Sequence, residues 1–432
     1  MEFVVVEGLR TIKFDLVFSL ALAASALFAG YFVQRRVGFL SRANIPAAAV
    51  GGLLFAGVVF ALRAGGVLGV SLNTTLRAPL QTAFFTTIGL GATTALLRAG
   101  GWRMGFFWVL ATLTAVVQNV VGMALAVAMG APALLGVICG ALTLTGGPAT
   151  GLAWADRFEA LGVSGAGSLI VAAAMFGIFT SSLVGNPVAT ALIKRLRLAP
   201  RVKEREEAED AFWALSPTVA PEDEEDEAGH TFDDEGRADG KRVVELSAGV
   251  LLHNLLLVLL VMGAGAVLSL LIKHPSFTLP DYIGAMLVAA FVRNVDDRAG
   301  WFRLNARAVE LIAGVALALF MVIALMSLEL WKIAGLALPM IVILCAQVVV
   351  TTAYAVFVTF PLMGRDYEAA VTSGGHIGFG LGITANAVAN MEALVERFAP
   401  APRSFLVVPI VGAFFIDFSN ALVISLFTGF AR

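Results

Sequence analysis

Long apolar stretches alternate with short polar ones along most of this chain. In the first half they cover about residues 16–33, 45–62, 79–97, 104–129 and 162–193. In the second half they cover about residues 246–272, 279–292, 305–328, 331–362 and 405–430. Most reach the roughly 20 residues that a helix needs to cross the ~30 Å apolar core of a bilayer. The pattern predicts two sets of five spanning helices.

The composition also favours an all-α, polytopic membrane protein. The chain is 59% hydrophobic and 14% charged, whereas a soluble domain is about 25% charged. Cys139 and Cys345 lie in apolar surroundings, which favours small buried side chains over a disulfide. The N-terminus lacks the basic start of a cleavable leader, so we expect the first span to be retained. We expect membrane lipid but no nucleic acid as a partner.

A charged segment separates the two sets of spans. Residues 194–245 hold 16 of the 31 acidic residues and few apolar ones. Because such a segment cannot bury enough apolar surface to fold alone, we expect a disordered linker. The predicted division is therefore a membrane repeat at 1–193, the linker, and a second membrane repeat at 246–432.

The two membrane repeats share landmarks. Gln118 precedes Gly146 by 28 residues, and Gln347 precedes Gly374 by 27, each pair spanning the same part of its half. An odd number of spans in each half turns the second half over, which predicts an inverted repeat, a frequent architecture of secondary transporters.

The charge of the short loops gives the orientation. Loops on the side of the linker carry more Arg and Lys than those on the other side. By the positive-inside rule, both termini lie outside and the linker lies in the cytoplasm. We expect a multi-pass protein of the bacterial cytoplasmic (inner) membrane.

Two glycine-rich segments, about 131–156 and 365–397, join the fourth span to the fifth in each half. Glycine disfavours a regular helix, and irregular backbone at membrane depth occurs where protein buries it or where it lines an aqueous cavity. We interpret these segments as the first and second re-entrant hairpins, with helix N-termini for a carboxylate and free carbonyls for Na⁺. Close helix packing by small residues is the alternative. The flanking hydroxyls include Thr145, Thr150 and Ser373.

Asp417 is the only charged residue between Ser404 and Ala431. A carboxylate inside a membrane is costly and suggests a function: we favour Na⁺ coordination over a proton relay or a pair with a buried Arg. Asn420 lies one helical turn away. His376 either contacts substrate or is a neutral structural imidazole. Other candidates are Asn390 and Arg397, the latter either a substrate ligand or a loop-end charge.

Three motifs resemble the bacterial sodium/glutamate symporters. In the second half they are T-S-G-G-H-I-G-F-G-L-G at 372–382 and F-I-D-F-S-N at 415–420. In the first half, L-T-L-T-G-G-P-A-T-G-L-A-W at 142–154 is similar to the first hairpin motif of the family. It departs at Pro148 and Ala149, where the family usually has His and Gly, which leaves the identity of the substrate open.

The resemblance implies a homodimer of inverted repeats that takes up L-glutamate with Na⁺ by an elevator motion. It also implies functional positions in both halves. The matching residues are Gly146, Gly147, Thr150 and Gly151, then Gly374, Gly375, His376, Gly378, Gly380, Asn390, Asp417 and Asn420.

The sequence thus predicts a Na⁺-coupled symporter for L-glutamate or a similar small anionic amino acid or dicarboxylate. The predicted Na⁺ ligands are Asp417, Asn420, Asn390 and Gly374. A proton-coupled symporter and a passive anion channel are the alternatives. An enzyme is not expected, because the sequence offers neither a metal cluster nor a catalytic triad.

Overall fold

The computed structural model describes residues 2–6, 9–42, 45–198, 247–272, 281–329 and 336–430. From residue 199 onward, the predicted linker lies outside these ranges. The helices of the first half are α1 (Leu16–Arg36), α2 (Gly38–Arg42), α3 (Ala47–Ala64), α4 (Arg77–Gly91), α5 (Thr94–Ala128), α6 (Ala133–Leu142), α7 (Gly147–Ala160) and α8 (Ala166–Arg195). Those of the second half are α9 (Ala248–Ile272), α10 (Asp281–Ala299), α11 (Ala306–Met326), α12 (Ala337–Leu362), α13 (Tyr367–Leu381), α14 (Thr384–Arg397) and α15 (Pro402–Phe430).

Eight of the described helices are long and apolar enough to cross a bilayer. They confirm the prediction of a polytopic α-helical membrane protein. The other two predicted spans are α4, with only 15 residues, and α10, whose last turns are charged. The predicted end of the third span at residue 97 is wrong: α4 ends at Gly91, and Thr93 takes an extended conformation as the N-cap of α5.

A small sheet near the N-terminus was not predicted. Strands β1 (Glu2–Val6) and β2 (Leu9–Lys13) form an antiparallel hairpin, and β3 (Gly69–Ser71) pairs with β2 in parallel. The sheet joins the start of the chain to the loop after α3. The described structure is therefore all-α apart from these short strands.

The glycine-rich stretch of the second hairpin is helical. We expected broken backbone there, but α13 runs without interruption from Tyr367 to Leu381. The reason is packing: a Cβ on Gly378 would lie 2.4 Å from the Cα of Ala387, and one on Gly374 would lie 3.0 Å from the Cβ of Ala189. These close approaches offset the poor helix propensity of glycine.

The helix break of the second hairpin lies instead at Gly382 and Ile383. Gly382, with φ −139° and ψ −116°, lies outside helical geometry, and Ile383, with φ −135° and ψ 167°, is extended. In the first hairpin the Gly146–Gly147 pair opens α7, and Gly147 has a φ of +67°. The Gly-Gly pairs of the two halves are therefore not structurally equivalent, since Gly374 and Gly375 lie in mid-helix.

The helices form two groups. The first, which we call the panel, comprises α1, α3, α4 and α9–α11. Within it, α3 packs on α1 and α11, α4 packs on α10 and α11, and α9 packs on α10. The second, which we call the hairpin core, comprises α5–α8 and α12–α15. Within it, α13 packs on α8 and α14, α7 packs on α8, and α5 packs on α12 and α15. Residues at the tips of both hairpins line one cavity together with residues of the panel.

Candidate functional site

A cavity of about 330 Å³ lies where the tips of the two hairpins meet the panel. The first hairpin contributes Thr145, Gly146, Pro148, Ala149 and Thr150, and the second contributes Gly382, Ile383, Thr384 and Ala385. The panel closes it with Pro46, Phe84, Ile88, Leu317 and Met321. Its volume falls within the ~300–1,000 Å³ of small-molecule sites.

Two helices of the hairpin core begin at this cavity. The N-cap residues, Gly146 for α7 and Ile383 for α14, make no side-chain hydrogen bond to the first turn. The first N–H groups of both helices are thus left for another partner. Since a helix N-terminus also carries a partial positive charge, the cavity suits an anion. The hydroxyl-bearing residues Thr145, Thr150 and Thr384 lie beside these ends.

Asp417, on α15, is the only charged residue of the described chain that lines this cavity. Thr150 Oγ1 donates a long hydrogen bond of 3.5 Å to its Oδ1. No described Arg or Lys forms a salt bridge with Asp417. The hypothesis that a buried Arg neutralises Asp417 therefore has no support in the described structure.

Gln118 joins the two hairpins from the side of α5. Its Oε1 accepts from Thr145 Oγ1 at 2.7 Å, and its Nε2 donates to the carbonyl of Gly380 at 2.7 Å. Gln347 Nε2 donates to the backbone carbonyl of Gln118 at 2.6 Å. The sequence marked both amides but did not show that Gln118 holds the two tips together.

His376 is fully surrounded by protein and does not line the cavity. Its Nε2 lies 3.1 Å from Thr114 Oγ1, and its Nδ1 lies 2.8 Å from Thr359 Oγ1. Its ring stacks on Phe379, with centroids 5.2 Å apart and planes 19° apart. Phe379 lines the cavity, so His376 acts on the site through this neighbour. The position of His376 fits a structural imidazole rather than a direct contact with substrate.

Most glycines predicted as substrate contacts are packing positions. A Cβ on Gly375 would lie 2.6 Å from Met391 Sδ, and one on Gly151 would lie 2.5 Å from Ile170 Cγ2. The carbonyl of Gly380 accepts a hydrogen bond from Gln118 Nε2. Together with Gly374 and Gly378, these residues shape the hairpin core but do not line the cavity.

Two polar candidates are also directed elsewhere. Ser373 Oγ donates to Ala369 O of its own helix at 2.8 Å. Arg397 is at the last turn of α14, with its guanidinium 5.6 Å from the ring centroid of Phe398. Neither residue lines the cavity, so a direct role in substrate binding has no geometric support in this conformation.

The predicted Na⁺ ligands form two separate pairs. Asn390 Nδ2 donates to Gly374 O at 3.4 Å, behind the second hairpin. Asp417 and Asn420 lie one turn apart on α15. No hydrogen bond between described residues connects one pair with the other. Asn420 Nδ2 donates to Ala141 O at 2.9 Å, and its Oδ1 is buried without a hydrogen-bond partner in the described residues.

A break in α6 explains the position of Asn420 and reveals Asn119. Gly140 leaves helical geometry, with φ −107° and ψ −137°. Asn119 Oδ1 accepts from Ala141 N at 3.0 Å, while Asn420 bonds to the carbonyl of the same residue. Our reading of the sequence missed Asn119, although two adjacent amides, Gln118 and Asn119, within an apolar span were a usable signal.

Comparisons with known proteins assign the chain to a family. The family model described as sodium/glutamate symporter matches residues 12–400. The chain is 38% identical over 414 residues to the sodium/glutamate symporter of Escherichia coli K12, covering 96% of this chain and 97% of the relative. It is 35% identical over 409 residues to the sodium/glutamate symporter of Haemophilus influenzae, covering 94% and 95%. Since these relatives are named as symporters, the prediction of a transporter rather than an enzyme is confirmed. The chain belongs to the sodium/glutamate symporter family.

Proposed function

We propose that this protein is a Na⁺-coupled symporter that imports L-glutamate or a similar small anionic amino acid or dicarboxylate. The observation that carries the proposal is the cavity in which two uncapped helix N-termini meet Asp417. The names of the relatives support Na⁺ and glutamate as the transported pair.

Substrate carboxylates bind at the starts of α7 and α14. The N–H groups there lack side-chain caps, and the hydroxyl of Thr384 adds a donor beside them. The hydroxyls of Thr145 and Thr150 donate instead to Gln118 and Asp417. The N–H groups and Thr384 bind anions without a basic side chain, which fits a cavity to which the described residues contribute no Lys or Arg.

Coupling follows from the charge of Asp417. An anionic substrate and an ionised carboxylate in one cavity repel each other, so a cation on Asp417 strengthens substrate binding. Because such coupling is reciprocal, substrate strengthens Na⁺ binding by the same factor. The Oδ1 of Asn420 is buried one turn away and has no hydrogen-bond partner among the described residues, so it supplies a further oxygen.

Transport proceeds by alternating access in a homodimer of inverted repeats. Matched contacts support the repeat: the second predicted span of each half packs on the third predicted span of the other, as α3 does on α11 and α10 does on α4. The cavity lies between the panel and the hairpin core, where sliding of one group on the other changes its exposure. In this proposal the panel forms the dimer scaffold in the inner membrane, with both termini outside.

Uptake of labelled L-glutamate into proteoliposomes tests the proposal. An inward Na⁺ gradient should drive accumulation, whereas an equal K⁺ gradient should not. Asp417→Asn should abolish Na⁺-dependent uptake, while Glu396→Gln, at an exposed position of α14, should retain it. Uptake by the unmodified protein that is independent of the Na⁺ gradient would refute coupling to Na⁺. Unchanged Na⁺ dependence in Asp417→Asn would refute Asp417 as a Na⁺ ligand.

A proton is the second candidate for the coupling ion. Asp417 has only the long bond from Thr150 among the described side chains, and protonation removes its charge as a cation does. Uptake driven by a pH gradient in the absence of Na⁺ would favour this alternative.

A passive anion channel is separated from both symporters by accumulation. A channel equilibrates its ion, whereas a symporter concentrates substrate inside the vesicles above the external level. The same proteoliposomes provide this measurement.

A further inference from the structure

A second cavity, of about 630 Å³, runs between α8 and α12 on the outer surface of the hairpin core. It is open to the side: Val349 and Phe357 on its wall are 68% and 75% exposed. Apart from Arg195 and Thr352, the described residues that line it are apolar. The wall on α8 includes Val184, Val188, Ala191 and Leu192.

The groove follows one stripe of each helix. On α8 its residues recur every three or four positions, from Val184 to Leu196, and on α12 they recur likewise from Val348 to Phe357. Such spacing keeps side chains on one helical face. The result is a continuous apolar trough along two spanning helices, rather than a closed pocket.

One end of the trough is basic. Arg195 lines it in the last turn of α8, with Lys194 before it and Arg197 two residues after it, and all three are exposed. Within the described residues, no carboxylate forms a salt bridge with Arg195. The hydroxyl of Thr352 inside the trough is buried and has no hydrogen-bond partner among the same residues.

We propose that this groove binds an anionic phospholipid, with an acyl chain along the trough and the phosphate at Arg195. An apolar channel that opens sideways matches an acyl chain. A guanidinium at the helix end that pairs with no described carboxylate matches a phosphate, with which Arg forms paired hydrogen bonds. Clustered basic residues next to a spanning helix attract anionic rather than zwitterionic lipid.

Thermal unfolding of the full-length protein in detergent tests the site. Phosphatidylglycerol or phosphatidylcholine of the same acyl composition is added, and tryptophan fluorescence reports the midpoint. A lipid that binds the folded state raises the midpoint by mass action. We expect phosphatidylglycerol to raise it more than phosphatidylcholine does, and Arg195→Gln to remove that difference.

Groove-filling variants test the acyl-chain half of the site. Ala191→Trp is placed at an exposed position of the wall and should weaken the effect of phosphatidylglycerol without unfolding the protein. Ala353→Trp gives a second block from α12. Leu183→Trp, 61% exposed on α8 and outside the groove, is the matched control and should respond like the unmodified protein.

Three outcomes would overturn the proposal. They are equal stabilisation by the two lipids, an undiminished phosphatidylglycerol effect in Arg195→Gln, and an undiminished effect in the folded tryptophan variants. Concentration-dependent association that Ala191→Trp abolishes would instead assign the groove to a second copy of the chain. None of these readouts depends on transport, so the result stands apart from the proposed function.

Discussion

Gln118 Nε2 lies 2.7 Å from the carbonyl oxygen of Gly380, a residue 262 positions away in the sequence. The same side chain accepts from Thr145 at 2.7 Å. One amide thus sets the distance between the two hairpins whose tips form the cavity. Because Gln118 is fully buried, water cannot replace either bond.

Gln118→Leu should destabilise the folded protein and weaken substrate binding. Each buried partner left without a hydrogen bond costs about 1–3 kcal/mol, and Thr145 and Gly380 both lose theirs. Thermal unfolding and isothermal titration with L-glutamate in Na⁺ measure the two effects. Gln34→Leu, which removes a single 3.3 Å bond to Ile45 O, is the control. Unaltered binding in a folded Gln118→Leu protein would contradict the tie between the hairpins.

Gly378→Ala should destabilise the second hairpin. The added Cβ would lie 2.4 Å from the Cα of Ala387, and overpacking of this kind costs about 1–3 kcal/mol. Gly263→Ala is the matched control, because a Cβ there meets nothing within 4 Å and alanine favours the helix by ~0.5–1 kcal/mol. Unfolding midpoints of both variants give the comparison. Equal unfolding midpoints for the two variants would contradict the prediction, because α13 and α14 could then move apart without any loss of stability.

His376→Leu should raise the KM for substrate by displacing Phe379. The imidazole is held by Thr114 and Thr359 and supports the Phe379 ring that lines the cavity. Phe379→Leu should act on the same wall, so the double variant should add little to either single one. Uptake kinetics of the three variants measure this non-additivity. Independent, additive effects would show that His376 acts by another route.

Pro148→Ala should tighten substrate binding. Proline lacks an N–H group, and Pro148 stands in the first turn of α7 at the cavity. Alanine restores a donor, and a hydrogen bond to a charged group contributes ~1.5–3 kcal/mol, which corresponds to roughly 10- to 150-fold in Kd. Titration with L-glutamate in Na⁺ measures the change. Arg397→Gln, away from the cavity, should leave Kd unaltered. An unaltered Kd in Pro148→Ala, or weaker binding in Arg397→Gln, would contradict a carboxylate at the start of α7.

The local expectations that agreed with the structure depend on short-range physics. A spanning helix needs about 20 apolar residues, so the hydropathy of α1, α3 or α9 was enough to predict it. Asp417 drew attention because a carboxylate within an apolar span is costly, and it does line the cavity. The first glycine-rich motif was enough to predict three further residues that line the cavity: Thr145, Gly146 and Thr150.

The second glycine-rich motif could not be assigned in this way. Glycine both breaks helices and permits close helix packing, and the sequence does not show which neighbour approaches. Ala189 and Ala387 decide in favour of packing at Gly374 and Gly378. The break then falls at Gly382 and Ile383, which our reading of the sequence did not select.

By itself, the sequence determined the eight long apolar helices and singled out the carboxylate on α15, because length, hydropathy and the cost of a buried charge act locally. Only the tertiary structure decided which groups line the cavity and which pack against other helices. It directed His376 toward Thr114 and Thr359 and Gln118 toward both hairpins. Those partners come from distant parts of the chain, and a buried polar group is oriented by whichever partner satisfies its hydrogen bonds.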